Sequence, residues 1–200
     1  MKRIVEKKIN LLVSQMVKKG NDVNGDSYFY YVDDDVFVCV LADGLGSGEG
    51  AFESSSIVIE TVKENPHLDV VTLMEFCNEA LFLKRGAAVT ILKFHFDKKQ
   101  FDYCSIGNIR FTMYSPSGKF THPLPVTGYI CGKPLTFRKQ TFSYEPLSLF
   151  LFYTDGLEIN NSKEVLSKYN TVDSIANKVT ADYMKKNNDD ITFIVGKLLD

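Results

Sequence analysis

The chain has 200 residues, 44% of them apolar and 24% charged, which suits one domain spanning residues 1–200 with a sizeable core. A formal net charge of −2 gives no electrostatic case for binding nucleic acid or an anionic membrane surface. No apolar run approaches the ~20 residues of a membrane span, and Ile9 to Val13 is too short and too polar for the apolar core of a signal peptide.

In chain order, Lys2, Arg3, Lys7 and Lys8, interrupted by Glu6, read as a solvated end. Asn24-Gly25-Asp26 leads into a strand over residues 27–32, and Asp33-Asp34-Asp35 forms the solvated tip of a hairpin to a second strand, 36–42. Residues 47–65 form a helix with Ala51, Ser55, Val58, Ile59 and Val62 inward, Ser47 as its cap and Pro66 as its stop. Asp69 caps a second helix whose inner face carries Leu73, Phe76, Cys77, Ala80 and Leu81, ending near Lys84-Arg85-Gly86. A meander follows over 87–96, 100–106 and 109–114. Residues 115–134, rich in Pro and Gly, form a loop. Strands at 136–144 and 149–154, a helix at 171–186 and a strand at 191–198 close the chain. Hairpins outnumber crossovers, so the expected class is α+β, or an αββα sandwich of two antiparallel-rich sheets flanked by helices. Cys39, Cys77, Cys104 and Cys131 form no CxxC pair, and reduced structural thiols in a cytoplasmic protein are expected.

Three apolar runs meet aspartate at their ends. Residues 36–42 run into Asp43-Gly44, residues 149–154 into Asp155-Gly156, and Asp189-Asp190 directly precedes 191–195. A buried strand cannot hold a carboxylate in its middle without a heavy desolvation cost, so the acids sit at the ends. If those ends share one edge, carboxylates converge with no Lys or Arg inside the motifs to neutralise them, a cluster suited to hard cations. Two divalent ions ~3.5–4 Å apart supply what phosphoester hydrolysis needs: an acidic water and neutralisation of the phosphoryl oxygens. Gly44 leaves its carbonyl unshielded for such an ion. Gly46-x-Gly48-x-x-Ala51 is a variant dinucleotide fingerprint, but no βαβ return follows it. Cys77 and Arg85 are too far apart for a cysteine phosphatase loop. His67, His95 and His122 lie beside no other ligand, and no Gly-x-Ser-x-Gly elbow exists.

Asn24-Gly25-Asp26-Ser27, Ala42-Asp43-Gly44-Leu45-Gly46-Ser47-Gly48, Tyr153-Thr154-Asp155-Gly156 and Asp189-Asp190-Ile191-Thr192 resemble, in order, the motifs of the metal-dependent PPM (type 2C) Ser/Thr protein phosphatases. Lys84-Arg85-Gly86-Ala87, residues 103–111 and Pro123-Leu124-Pro125-Val126-Thr127-Gly128-Tyr129 narrow the likeness to stressosome-linked members of the compact bacterial branch. The resemblance implies the αββα sandwich with a dinuclear site at one edge and two Mn²⁺ or Mg²⁺ ions. It implies that Asp43 bridges both ions and that the Gly44 carbonyl binds one. Asp155 and Asp189 would hold the other, Asp26 would act mainly through metal-bound water, and Asp190, standing where many relatives carry Asn, would complete the metal-binding set. The implied substrates are phosphorylated stressosome scaffold and antagonist (STAS-type) proteins, whose dephosphorylation damps a general-stress sigma factor. The alternative is a pseudophosphatase that binds the same partners without turnover. The phosphate-gripping Arg and the His acid of larger members are missing near the N-terminus, Asn24 replaces a metal-ligating acid, and no flap insert is present, which leaves substrate selection to the 115–134 loop.

Overall fold

The computed structural model describes residues 1–183 and 188–200. Its elements are β1 (Lys2–Glu6), β2 (Ile9–Met16), β3 (Asp26–Val32), β4 (Val36–Gly44), α1 (Glu49–Glu64), α2 (Val70–Ala80), β5 (Ala87–His95), β6 (Gln100–Ile106), β7 (Arg110–Tyr114), β8 (Phe120–Thr121), β9 (Gln140–Ser143), β10 (Leu149–Tyr153), α3 (Ser162–Lys168), α4 (Val172–Tyr183) and β11 (Ile191–Leu198). One sheet runs β1-β2-β11-β10-β7-β8 and the other β3-β4-β5-β6-β9, with every adjacent pair antiparallel.

The unbroken apolar runs are explained by strands buried on both faces. In β4, Phe37, Cys39 and Leu41 enter the core between the sheets, while Val38, Val40 and Ala42 pack under α1 and α2. In β10, Phe150 and Phe152 point into the inter-sheet core, and Leu149, Leu151 and Tyr153 pack beneath α3 and α4. Stacked rings tie that inter-sheet core together, with centroids of Phe94–Phe101 at 4.9 Å and Phe94–Phe150 at 5.7 Å. The result is the αββα sandwich implied by the sequence. All four cysteines are free, and burial pushes the Cys77 and Cys104 thiols up to about 12, consistent with inert packing.

Several local expectations are corrected. The charges of the N-terminal segment are solvated as expected, but the segment is not a loose end: Lys2 to Glu6 form an edge strand in which only Ile4 is buried, paired with β2 from Lys2↔Val13 to Glu6↔Ile9. Charges on its outer face keep that edge from pairing further, and Arg3 ion-pairs with Asp173 at the start of α4. Ser47 does not cap α1; Gly48 is the N-cap residue and no side chain caps it. Phe76 and Ala80 face outward on α2, whose buried face is Val70, Leu73, Met74, Cys77 and Asn78. Ile59 is only half-buried on α1, where Ser54 is buried. The 136–144 strand shrinks to β9, and α3 was not foreseen because seven residues carry too little periodicity. The expected continuation of the last helix through 184–186 lies outside the described residues.

Candidate metal-dependent active site

The sheet register gathers the acidic motifs at one edge of the sandwich. Asp26 opens β3 directly opposite Asp43 near the end of β4. Tyr153 pairs with Phe193, so the end of β10 and the start of β11 lie side by side, carrying Asp155 and Asp189-Asp190 to a common edge. Hydrogen bonds then join the two sheets. Thr154 Oγ1 donates to Asp26 Oδ2 at 2.8 Å and accepts from the Thr192 N–H at 2.9 Å. Gln15 Nε2 donates to Thr192 Oγ1 at 3.1 Å and to the Asp26 carbonyl at 3.3 Å. Asp190 accepts the Lys18 N–H at 2.8 Å on one carboxyl oxygen and the Gly25 N–H at 2.9 Å on the other. Asp190 thus ties the connection between β2 and β3 to the foot of β11. Asn108 Nδ2 donates to Asp155 Oδ2 at 2.6 Å.

The Asp-Gly dipeptides have a steric cause. A Cβ on Gly44 would lie 1.9 Å from the Ala51 carbonyl oxygen, and one on Gly156 would lie 2.1 Å from the Asp190 carbonyl oxygen. Only glycine lets α1 and the β11 entry close onto the aspartates. Asn24 shapes the loop ahead of β3, its Oδ1 accepting the Asp26 N–H at 2.8 Å. Asp33, at the hairpin tip, is engaged by the Asp35 and Val36 N–H groups and stays apart from the acidic edge.

Charge at this edge is poorly compensated. Burial pushes the Asp26 carboxyl up to about 7; hydrogen bonds from Thr154 and Thr192 oppose this, and the charges of Asp190 and Asp155 add to it. Burial, the charges of Asp26 and Asp155, a hydrogen bond shared with Asp155 and the charge of Asp189 push Asp43 up to about 9. Among the described residues, the one ion pair reaching the edge is Lys18 Nζ to Asp189 Oδ1 at 3.5 Å, and both side chains are substantially exposed. Among the described residues, no group of three or more His, Cys, Asp or Glu side chains is already set as a finished metal cage. The donor set is nonetheless all oxygen, anionic and partly open to water, which fits hard divalent cations that retain several water ligands.

Asp26, Asp43, Gly44, Asp155, Asp189 and Asp190 therefore all lie at this edge. Sequence reading gave no role to Gln15, Lys18, Asn108, Thr154 or Thr192. For the two threonines a signal was present: Thr154 directly precedes Asp155 and Thr192 follows Asp190 by two residues, each a hydroxyl at the end of an otherwise apolar strand. Gln15, Lys18 and Asn108 reach the edge from other elements, and no local pattern marks them.

The family model described as Stage II sporulation protein E (SpoIIE) matches residues 33–198. The phosphoserine phosphatase RsbX of Bacillus subtilis (strain 168) is 43% identical over 190 residues, covering 95% of each chain. A crystal structure of RsbX in complex with magnesium superposes with a TM-score of 0.94 at 41% identity, covering 98% of both chains. The PP2C phosphatase domain of SpoIIE from Bacillus subtilis shares the fold at a TM-score of 0.80 and 14% identity, covering 96% of this chain and 62% of that one. The chain belongs to the SpoIIE family of PP2C-type phosphatases. It is a protein serine/threonine phosphatase, as its ordered acidic motifs imply.

Proposed function

We propose that residues 1–200 form one cytoplasmic catalytic domain that removes phosphate from phosphoserine or phosphothreonine of stressosome scaffold and antagonist proteins, with two Mn²⁺ or Mg²⁺ ions at the acidic edge. The observation that carries this reading is a pair of carboxyls, Asp26 and Asp43, pushed up by burial among other acids with almost no internal cation to answer them. The likeness to a phosphoserine phosphatase solved with magnesium supports the substrate chemistry and the metal class.

Asp43, the Gly44 carbonyl, Asp155 and Asp189 would hold the ions, with Asp26 beside them. Bound there, divalent ions supply an acidic water at neutral pH and offset charge on the phosphoryl oxygens. The remaining roles belong to the protein. Thr154 and Thr192 orient the Asp26 carboxyl, and Asn108 orients Asp155. Asp190, with a backbone N–H on each oxygen, holds the loops that position Asp26. No lysine or arginine inside the four motifs competes with the ions for the carboxylates.

The test is release of phosphate from serine-phosphorylated STAS-type stressosome proteins with Mn²⁺, with Mg²⁺ and with chelator. Metal-dependent release from these proteins well above release from unrelated phosphoproteins is expected. Binding of the same proteins with no metal-dependent release would instead support the pseudophosphatase alternative.

A further inference from the structure

An apolar groove lies beside the Arg85-Gly86 corner, which is tied to the segment after Asp43-Gly44, and the described fold leaves it open. Phe82 and Leu83, in the turn after α2, are 64% and 84% exposed, and Tyr129 across the groove is 45% exposed. The groove has a volume of about 360 Å³ and is lined by Phe82, Leu83, Arg85, Tyr129, Cys131 and Lys133, among others.

This surface is built rather than incidental. Leu83 holds a left-handed backbone, φ 61°, which is unfavourable for a branched aliphatic residue. The facing segment is fastened by the buried Asn78, whose Nδ2 donates to the Lys133 carbonyl at 2.8 Å. Asn78 Oδ1 accepts the Cys131 and Gly132 N–H groups at 3.1 and 3.0 Å. Ala87 and Ile130 exchange backbone hydrogen bonds of 3.0 and 2.9 Å. Both walls are thus fixed before any partner arrives, which lowers the ordering cost of binding.

The groove also joins the catalytic edge and carries unspent positive charge. The Leu45 N–H donates to the Gly86 carbonyl at 3.0 Å, so the Arg85-Gly86 corner is tied to the segment after Asp43-Gly44. The Arg85 guanidinium lies across the start of α1, where a Cβ on Gly50 would fall 2.6 Å from its Cζ. Lys84 is occupied by Glu53 at 2.6 Å. Among the described residues, Arg85 and Lys133 have no ion-pair partner.

We propose that this groove is the docking surface for the phosphoprotein substrate. It takes apolar and acidic side chains flanking the phosphoserine and leads the phosphate past Arg85 to the acidic edge. The proposal rests on the phosphatase reading above and adds a substrate chemistry to it: a phosphoserine flanked by Leu-like and Glu-like residues.

The experiment compares two phosphoserine peptides of equal length, one with Leu and Glu beside the phosphoserine, the other with Ser and Lys, and uses para-nitrophenyl phosphate as a probe too small for the groove. Wild type should favour the first peptide by about tenfold in kcat/KM, mostly through KM. Leu83→Asn keeps a residue that tolerates the left-handed backbone. Combined with Lys133→Glu, it should cut the preference to about twofold or less while para-nitrophenyl phosphate turnover stays unchanged. Equal use of both peptides by wild type, or a preference that survives both substitutions, would overturn the docking surface. Failure of wild type to cleave para-nitrophenyl phosphate with Mn²⁺ would instead defeat the phosphatase reading, and this proposal with it.

Discussion

Asp26 and Asp102 are almost equally withdrawn from water, at 2% and 7% exposure, yet their carboxyls shift in opposite directions. Asp102, in β6, is pushed up by burial, but hydrogen bonds from Thr141, Lys139 and His95 outweigh that and hold it below its ordinary value. Thr141 Oγ1 lies 2.6 Å and Lys139 Nζ 3.2 Å from its oxygens. Its cross-strand neighbour Lys93 is hydrogen-bonded elsewhere, donating to the carbonyls of His67 and Leu68 at 2.6 and 2.8 Å. Asp26 has hydroxyl donors, but its charged neighbours are acids, and it is pushed up to about 7. Burial alone does not mark a site. A carboxylate answered by internal cations is architecture, whereas one surrounded by acids is set up for a cation from outside.

The sharpest way to break this contrast is to substitute one member of each region. Asp43→Asn should lower metal-dependent phosphate release by about three orders of magnitude while the metal-free protein melts no lower than wild type. Asp102→Ala should do the reverse, costing about 2 kcal/mol of stability because Lys139 and Thr141 lose their acceptor, with turnover retained. Equal loss of activity in both variants would erase the distinction.

Next in size is a reversed pH dependence. Asp26 and Asp43 keep protons in the folded state at pH values where the unfolded chain, with carboxyls near 3.8, has lost them. In chelator their contribution to stability is complete below about pH 4 and is lost as pH rises through about 7 and then about 9. Saturating Mn²⁺, which binds the ionised carboxylates, should stabilise more at pH 8 than at pH 5. Thermal melts with and without metal across this range check the sign.

Thr154→Val probes the support of the acidic edge without touching its charge. Loss of the 2.8 Å donor to Asp26 should raise the Mn²⁺ concentration for half-maximal activity about tenfold, with a smaller change in kcat at saturation. The smallest effect is expected at Lys18→Met. Its exposed pairing with Asp189 is weak, so about a twofold drop in the Mn²⁺ requirement is the expected gain.

The sandwich and the acidic edge were legible because both come from one constraint: strands buried on two faces put their acids at the ends. Asp43, Asp155 and Asp189 are therefore visible at the ends of apolar runs, and Asp26 in the Asn24-Gly25-Asp26 turn that leads into a strand. What sequence could not display is what reaches those acids from elsewhere. Gln15 comes from β2 and Lys18 from the segment just after it, in a hairpin region whose edge strand, with Ile4 as its single buried residue, looks like a charged tail. Asn108 is a turn residue that becomes a donor only when β6 and β7 bring it over Asp155. Asp190 sits among the acids, and only the structure gives each of its oxygens a backbone N–H. The short helix α3 had a readable start, since Asn161 caps the Glu164 N–H at 3.1 Å, but too few residues to show a face.

Acids that hold protons until metal takes their place must release them on binding, and calorimetric titration of Mn²⁺ at pH 7 in buffers of different ionisation enthalpy measures that release directly. Wild type should bind Mn²⁺ with net proton release, and Asp43→Asn should bind more weakly and release fewer protons. Binding without proton release, or an identical titration for Asp43→Asn, would contradict the assignment of the acidic edge as the metal centre.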